Sequence, residues 1–202
     1  PRSTLFPYTT LFRSAVNYLK AMKGVNIFLA AGFEDMEALA TRDVLVRGGI
    51  DVRLISVTDE YLVESSHGLE VSVDVSRHDF DFEEEGTGRG DVMIFPGGMP
   101  GSRHLAEDSD LMLCMREHYE AGGTVAAICA APGLVLSQLD DVKGVEFTCF
   151  EGFQGPMIAK GAIFTPESTV VSGRIITGRG AGHAVNFGLA ILEYLRGQEA
   201  AA

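Results

Sequence analysis

The segment TVAAICAAPG, residues 124–133, decides how the rest of the chain is read. Five apolar or β-branched residues with no polar break describe a strand covered on both faces, as in a parallel sheet. The strand then stops at a cysteine, and two alanines and a proline follow. Small residues allow a sharp strand-to-helix turn, and proline suits a helix start. Two more segments have the same outline. VNIFLAA (25–31) is a continuous apolar run that meets GFEDMEAL (32–39), and DVMIFPGG (91–98) runs into a glycine turn.

Helical stretches separate these runs. Residues 35–47 place Met36, Leu39, Ala40, Val44 and Val46 near one stripe, and Gly48-Gly49 supplies the stop. SDLMLCMREHYEAGG (109–123) repeats that pattern, and AGHAVNFGLAILEYLRG (181–197) closes the chain as an amphipathic helix. IDVRLISV (50–57) reads as a second strand. LEVSVDVS (69–76) reads as a sheet edge or hairpin, and TVVSGRIITGRG (169–180) as a strand pair around Ser172-Gly173. DFDFEEEGTGRG (79–90) reads as a solvated acidic loop. Strands alternating with helices indicate an α/β fold, a doubly wound, mostly parallel sheet with helices on both faces.

Composition narrows the function classes. The 202 residues carry a net charge of −12 and are 46% hydrophobic, which excludes a disordered chain. No apolar run of membrane-spanning length occurs. The acidic balance argues against a nucleic-acid backbone or an anionic membrane surface as partner. Three cysteines do not make a disulfide framework and suit a reducing, cytoplasmic setting.

The first residues stand apart from this pattern. TLFPYTTLFRS (4–14) corresponds to the translation of a common short-read sequencing adapter, and it precedes Met22. Residues 1–21 are therefore expected to be a non-native or disordered leader, 22–197 a single domain and 198–202 a tail. Removing the leader discards Arg2, Arg13 and Lys20 and no acid, which takes the net charge from −12 to −15.

In doubly wound sheets ligands bind outside the carboxyl ends of the strands. Cys129 lies there, where it reads either as a nucleophile in an elbow turn or as a buried structural cysteine. Unpaired N–H groups at a helix start are expected to lower its thiol pKa. Glu37 is one of three acids in FEDME and reads either as a helix N-terminal charge or as an acid–base group. His67, His78, His104, His118 and His183 show no metal-ligand spacing in the sequence, so no metal site is expected. GRGAG lacks the spacing of a dinucleotide fingerprint. His183 reads as a helix cap or as part of an anion-binding turn, Arg47 and Arg179 as surface ion pairs or pocket charges, and Cys114 as core.

AAICAAP, FPGG, the GFEDMEAL turn and TGRGAGHAVNFGLAI, taken in order, resemble the ThiJ/PfpI superfamily. They are most similar to the branch of the Parkinson-linked protein deglycase and its bacterial relatives. The resemblance implies a flavodoxin-like fold, a reactive Cys129 with Glu37 as carboxyl partner, and an oxyanion site at the amides of Gly98 and Ala130, with Gly97 beside it. It implies a glutathione-independent glyoxalase III-type or deglycase-like enzyme. The substrates would be reactive 2-oxoaldehydes such as methylglyoxal, with no cofactor, in a cytoplasmic homodimer. The alternative is a non-enzymatic redox sensor or chaperone of the oxidative stress response. Ala130 after Cys129, and the absence of a histidine before Thr165-Pro166-Glu167, depart from the protease and amidotransferase branches. Cys149, in FTCFEGF, reads either as pocket lining or as a resolving thiol.

Overall fold

A computed structural model of the chain describes residues 23–79 and 88–201. The expected leader, and residues 80–87 of the acidic loop, lie outside the described residues.

The first strand, β1 (Val25–Leu29), is buried at every position. It passes through the GFED turn into α1 (Asp35–Arg47), where the Gly48 N–H donates to the Val44 carbonyl and the Gly49 N–H to the Val46 carbonyl. β2 (Val52–Ser56) returns parallel to β1, with Val25 opposite Val52. The chain then leaves the sheet for a hairpin, β3 (Leu62–Glu64) and β4 (Glu70–Ser72). It re-enters on the other side of β1 as β5 (Val92–Phe95). Next come α2 (Gly101–Glu107), α3 (Ser109–Glu120) and β6 (Thr124–Ile128). After the short α4 (Ala131–Leu134), β7 (Glu146–Phe147) pairs with β8 (Ile163–Phe164) across α5 (Gly155–Ala159). The hairpin of β9 (Thr169–Ser172) and β10 (Ile175–Gly178) leads into α6 (Ala184–Arg196).

The six-stranded sheet has the order β2-β1-β5-β6-β10-β9, parallel except for the edge strand β9. Counted over the parallel strands alone this is the flavodoxin-like order 2-1-3-4-5. The strand pleat sends alternate side chains into two cores. Phe28, Met93, Phe95, Val125, Ala127 and Ile175 pack on one face with Leu111, Met112 and Met115 of α3. Ile27, Leu29, Ile94, Ala126, Ile128 and Ile176 pack on the other with α1 and α6. Among the described residues no helix is long and apolar enough to cross a membrane.

One expectation needs correction. The stripe assigned to α1 is rotated: Met36 is 55% exposed and Val46 is exposed too, while Glu37, Ala38, Thr41 and Leu45 are buried. A stripe that contains a glutamate and a threonine cannot be found by apolar periodicity. LEVSVDVS forms the expected hairpin, β4 pairing with β3, a strand the sequence pattern did not mark, and its Val75 bridges Ile55 of the edge strand β2. Beyond α6, Gln198–Ala200 form one 3₁₀ turn.

Candidate active site

The carboxyl ends of β1, β5 and β6 are adjacent, and the direction of winding reverses between β1 and β5. That reversal opens the crevice in which such sheets bind ligands. Three turns meet there: GFED after β1, PGG after β5 and Cys129 after β6.

Cys129 has φ of +63°, and it is the only non-glycine with positive φ among the described residues. For a residue with a Cβ this backbone costs about 1–2 kcal/mol. Its neighbours hold it there. The Cys129 N–H donates to the Gly178 carbonyl (3.0 Å), and its carbonyl accepts from the Phe150 N–H (2.8 Å). The strain aims the thiol out of the strand toward the PGG loop. The sharp strand-to-helix turn expected from AAICAAP is therefore present.

Glu37 lies in the first turn of α1 and is 1% exposed. Its Oε2 accepts the Gly97 N–H at 2.7 Å, and its carboxyl faces Cys129 across Gly97, where a Cβ would lie 2.3 Å from Oε2 and 3.1 Å from Sγ. Gly97 has to be glycine, because a Cβ would fall on the Glu37 carboxylate and within 2.6 Å of Cys129 Cβ. Gly98 (φ +90°) turns the loop beneath Glu34 and Phe33, where a side chain would strike backbone. The amides of Gly98 and Ala130 both reach the Cys129 sulfur. The Gly97 amide is taken by Glu37 and fixes its carboxyl, which leaves the Gly98 and Ala130 amides as the donors that face the sulfur.

The electrostatics follow from burial. Glu37 is pushed up to about 7, first by desolvation and then by the nearby Glu34 carboxylate, against the pull of Cys129 and the Gly97 amide. Burial and the Glu37 carboxylate push the Cys129 thiol up to about 12, against the two amides. The expectation of a thiol lowered by a helix start is thus reversed. The helix after Cys129 has only four residues, too short a dipole to outweigh desolvation beside a carboxylate. The two groups titrate as one coupled pair, with a single proton between them near neutral pH.

Cys149 and Arg179 adjoin Phe150 and Gly178, the two backbone partners of Cys129. Cys149 is fully buried in the α3-side core, whereas Cys129 packs against the α1/α6 side. Burial raises the Cys149 thiol to about 11, and the Arg179 charge opposes that rise. Arg179 also donates to the Pro166 carbonyl. Arg47 ends α1 and pairs with Asp43 at 2.7 Å. His183 is half-buried at the start of α6 and makes no cap hydrogen bond. Cys114 is buried in the core, as expected.

Sequence spacing missed a cluster beside the site. Glu34 Oε2 accepts the Glu37 N–H at 2.8 Å and caps α1, whereas Asp35 turns away to His67 Nδ1 (2.5 Å) and Ser65. His67 reaches α1 from 32 residues away because the β3–β4 hairpin folds back over the helix start. The ligand atoms of Glu34, Asp35 and His67 lie within 4.8 Å of one another. They sit at the positive end of a helix, which disfavours a cation. A separate open groove of about 490 Å³, with Arg77 bridging Asp108 and Asp110 (both 2.8 Å), lies at the ends of β1 and β2 and contains neither Cys129 nor Glu37.

Comparison with known proteins agrees with this geometry. The chain is 33% identical over 178 residues to Protein dj-1beta of Drosophila melanogaster, covering 88% of this chain and 91% of that protein. The crystal structure of Drosophila melanogaster DJ-1beta superposes with a TM-score of 0.75 at 31% identity, covering 88% and 92% of the two chains. "Glutathione-independent glyoxalase DJR-1.2" of Caenorhabditis elegans is 32% identical over 166 residues, 82% of this chain and 84% of that protein. Protein DJ-1 homolog A of Arabidopsis thaliana is 32% identical over 179 residues, and the chain, 89% of which is matched, spans only 44% of its length. The match to the DJ-1/PfpI family covers residues 23–194 and includes Glu37, the PGG loop and Cys129; the chain belongs to that family.

Proposed function

We propose that the protein is a glutathione-independent glyoxalase III-type or deglycase-like enzyme acting on small 2-oxoaldehydes such as methylglyoxal. The observation that carries this reading is the Cys129 thiol in its positive-φ turn beside the buried Glu37 carboxyl, with two backbone amides at the sulfur. The printed name of the Caenorhabditis elegans relative supports it.

The chemistry starts from the shared proton. Glu37, poised near neutrality, takes the thiol proton as Cys129 Sγ bonds to the aldehyde carbon. The Gly98 and Ala130 amides stabilise the charge that develops on the aldehyde oxygen. Glu37 returns a proton to that oxygen, giving a hemithioacetal. Transfer of the C1 proton by way of Glu37 to C2 converts this adduct into a lactoyl thioester. Water then cleaves the S–C bond, releasing lactate and restoring the thiol. The net reaction adds one water, with the aldehyde oxidised and the neighbouring ketone reduced, so no external oxidant or cofactor enters. A cytoplasmic homodimer taking a small aldehyde as its partner completes the reading.

The test is lactate formation from methylglyoxal by the purified protein. Wild type should turn over and Cys129→Ser should not. Glu37→Gln should lose about 10²–10⁴-fold, the usual worth of acid–base catalysis. Near-full activity of Glu37→Gln would remove the acid–base role. The same amides and carboxyl would also stabilise a Cys129 sulfinate, which favours the redox-sensor reading as the alternative. Absence of turnover in wild type would put that reading first.

A further inference from the structure

Three hydrogen bonds close a ring around the catalytic carboxyl. Glu34 Oε2 accepts the Glu37 N–H at 2.8 Å. Glu37 Oε2 accepts the Gly97 N–H at 2.7 Å. The Gly97 carbonyl accepts the Glu34 N–H at 3.0 Å. We infer that Glu34 is a positioning residue for Glu37, which orients its carboxyl through this ring and keeps its proton in place by holding a second negative charge one turn away. The role assigned to Glu37 rests on the proposed function, but the ring and its charge do not.

The residue type supports the inference. Glutamate is not among the preferred N-cap residues; serine, aspartate and asparagine make the same bond with a shorter side chain. Capping alone therefore does not account for it. What glutamate adds is a carboxylate that folds back onto the Glu37 amide and sets a like charge beside the Glu37 carboxyl. The Glu34 charge accordingly lifts Glu37 on top of the effect of burial.

The other titratable groups do not cancel this charge. Cys129 faces Glu37 from the end of β6. His67, from the hairpin, is the cation near Glu34, and it is bound to Asp35 at 2.5 Å. Against burial, the Ser65 hydroxyl and then His67 lower Asp35, and His67 is raised first by Asp35 and, more weakly, by the Glu34 charge. His183 lies on the turn that packs against α1, and Arg42 lies further along the same helix.

The test reads the pair without substrate turnover. The rate of Cys129 carbamidomethylation by iodoacetamide, followed by peptide mass spectrometry, should rise with pH through the first proton loss of the pair, near 7. Glu34→Gln keeps an acceptor for the cap and removes the charge, and Glu34→Ser does the same with a preferred cap residue. Each should move the inflection down by about one pH unit, the scale of one nearby, partly screened charge. Glu34→Asp keeps both cap and charge and should restore the wild-type profile. Profiles of Glu34→Gln and Glu34→Ser that superimpose on wild type would overturn the inference. So would a loss of reactivity in all three variants alike, because it would mean a purely structural role. A shifted profile in a protein that makes no lactate would leave the inference standing and remove the proposed enzyme.

Discussion

Glu37→Gln should make the protein more stable at alkaline pH while it lowers the proposed turnover, and the size of the gain follows from burial. The Glu37 carboxyl is lifted from 4.5 to about 7, mainly by desolvation. A group that binds its proton more tightly folded than unfolded stabilises the fold below its unfolded value. That contribution is lost as pH rises through the folded value. For Glu37 the loss spans pH 4.5 to about 7, and at full size it amounts to about 3 kcal/mol. Because the proton is shared with Cys129, this figure is an upper bound. Glutamine stays neutral throughout and still accepts the Gly97 N–H. The variant should therefore gain up to about 3 kcal/mol over wild type at pH 8 and little at pH 5. At this chain length that gain raises Tm by roughly 5–10 °C. Urea unfolding of both proteins at the two pH values measures it. A gain equal at pH 5 and pH 8, or none at either, would refute the claim that the fold holds a strained carboxylate at Glu37. The expected result makes the site a place where stability is given up for reactivity.

Other perturbations probe separate parts of the molecule. Gly97→Ala sets a methyl group against Glu37 and Cys129 and should cost about 1–3 kcal/mol of stability along with the reactivity of Cys129; a structure with the Cys129–Glu37 contact unchanged would contradict this. His118 is buried, with Nε2 bonded to the Thr124 carbonyl at 3.0 Å, and desolvation lowers its pKa. Its stabilising contribution is present above its unfolded value, near 6.5, and is lost as pH falls below it. His118→Gln should accordingly flatten the acid side of the stability–pH curve measured by urea unfolding. Mild peroxide should yield Cys129 sulfinate with Cys149 still a thiol, because Cys149 is buried in the opposite core; a Cys129–Cys149 disulfide in the mass spectrum would contradict that placement.

The parallel sheet was legible because its strands are apolar on both faces. VNIFL, VMIF and TVAAI are runs that only a doubly covered strand tolerates. Gly48-Gly49 marked the end of α1 where the structure places it. Cys129 was legible as a candidate because the residues after it permit a sharp turn. Strand β3, and the rotated stripe of α1, were not legible. A three-residue strand leaves almost no period to read, and Glu37 and Thr41 are polar residues buried for reasons outside their own helix.

Sequence by itself determined which residue types stand at the strand ends: a thiol before small residues, an acid in a first helical turn, and two glycines after a strand. Patterning is local, so it reached as far as the turn or helix start that each segment encodes. Tertiary structure alone decided what those groups become. Gly97 approaches from β5, 60 residues from Glu37, and fixes its carboxyl. Burial between strand ends then raises both Glu37 and Cys129, against the local expectation for a cysteine before a helix. A helix start acts over one turn, whereas desolvation depends on every chain segment that closes over the site, and in this fold the second effect is the larger.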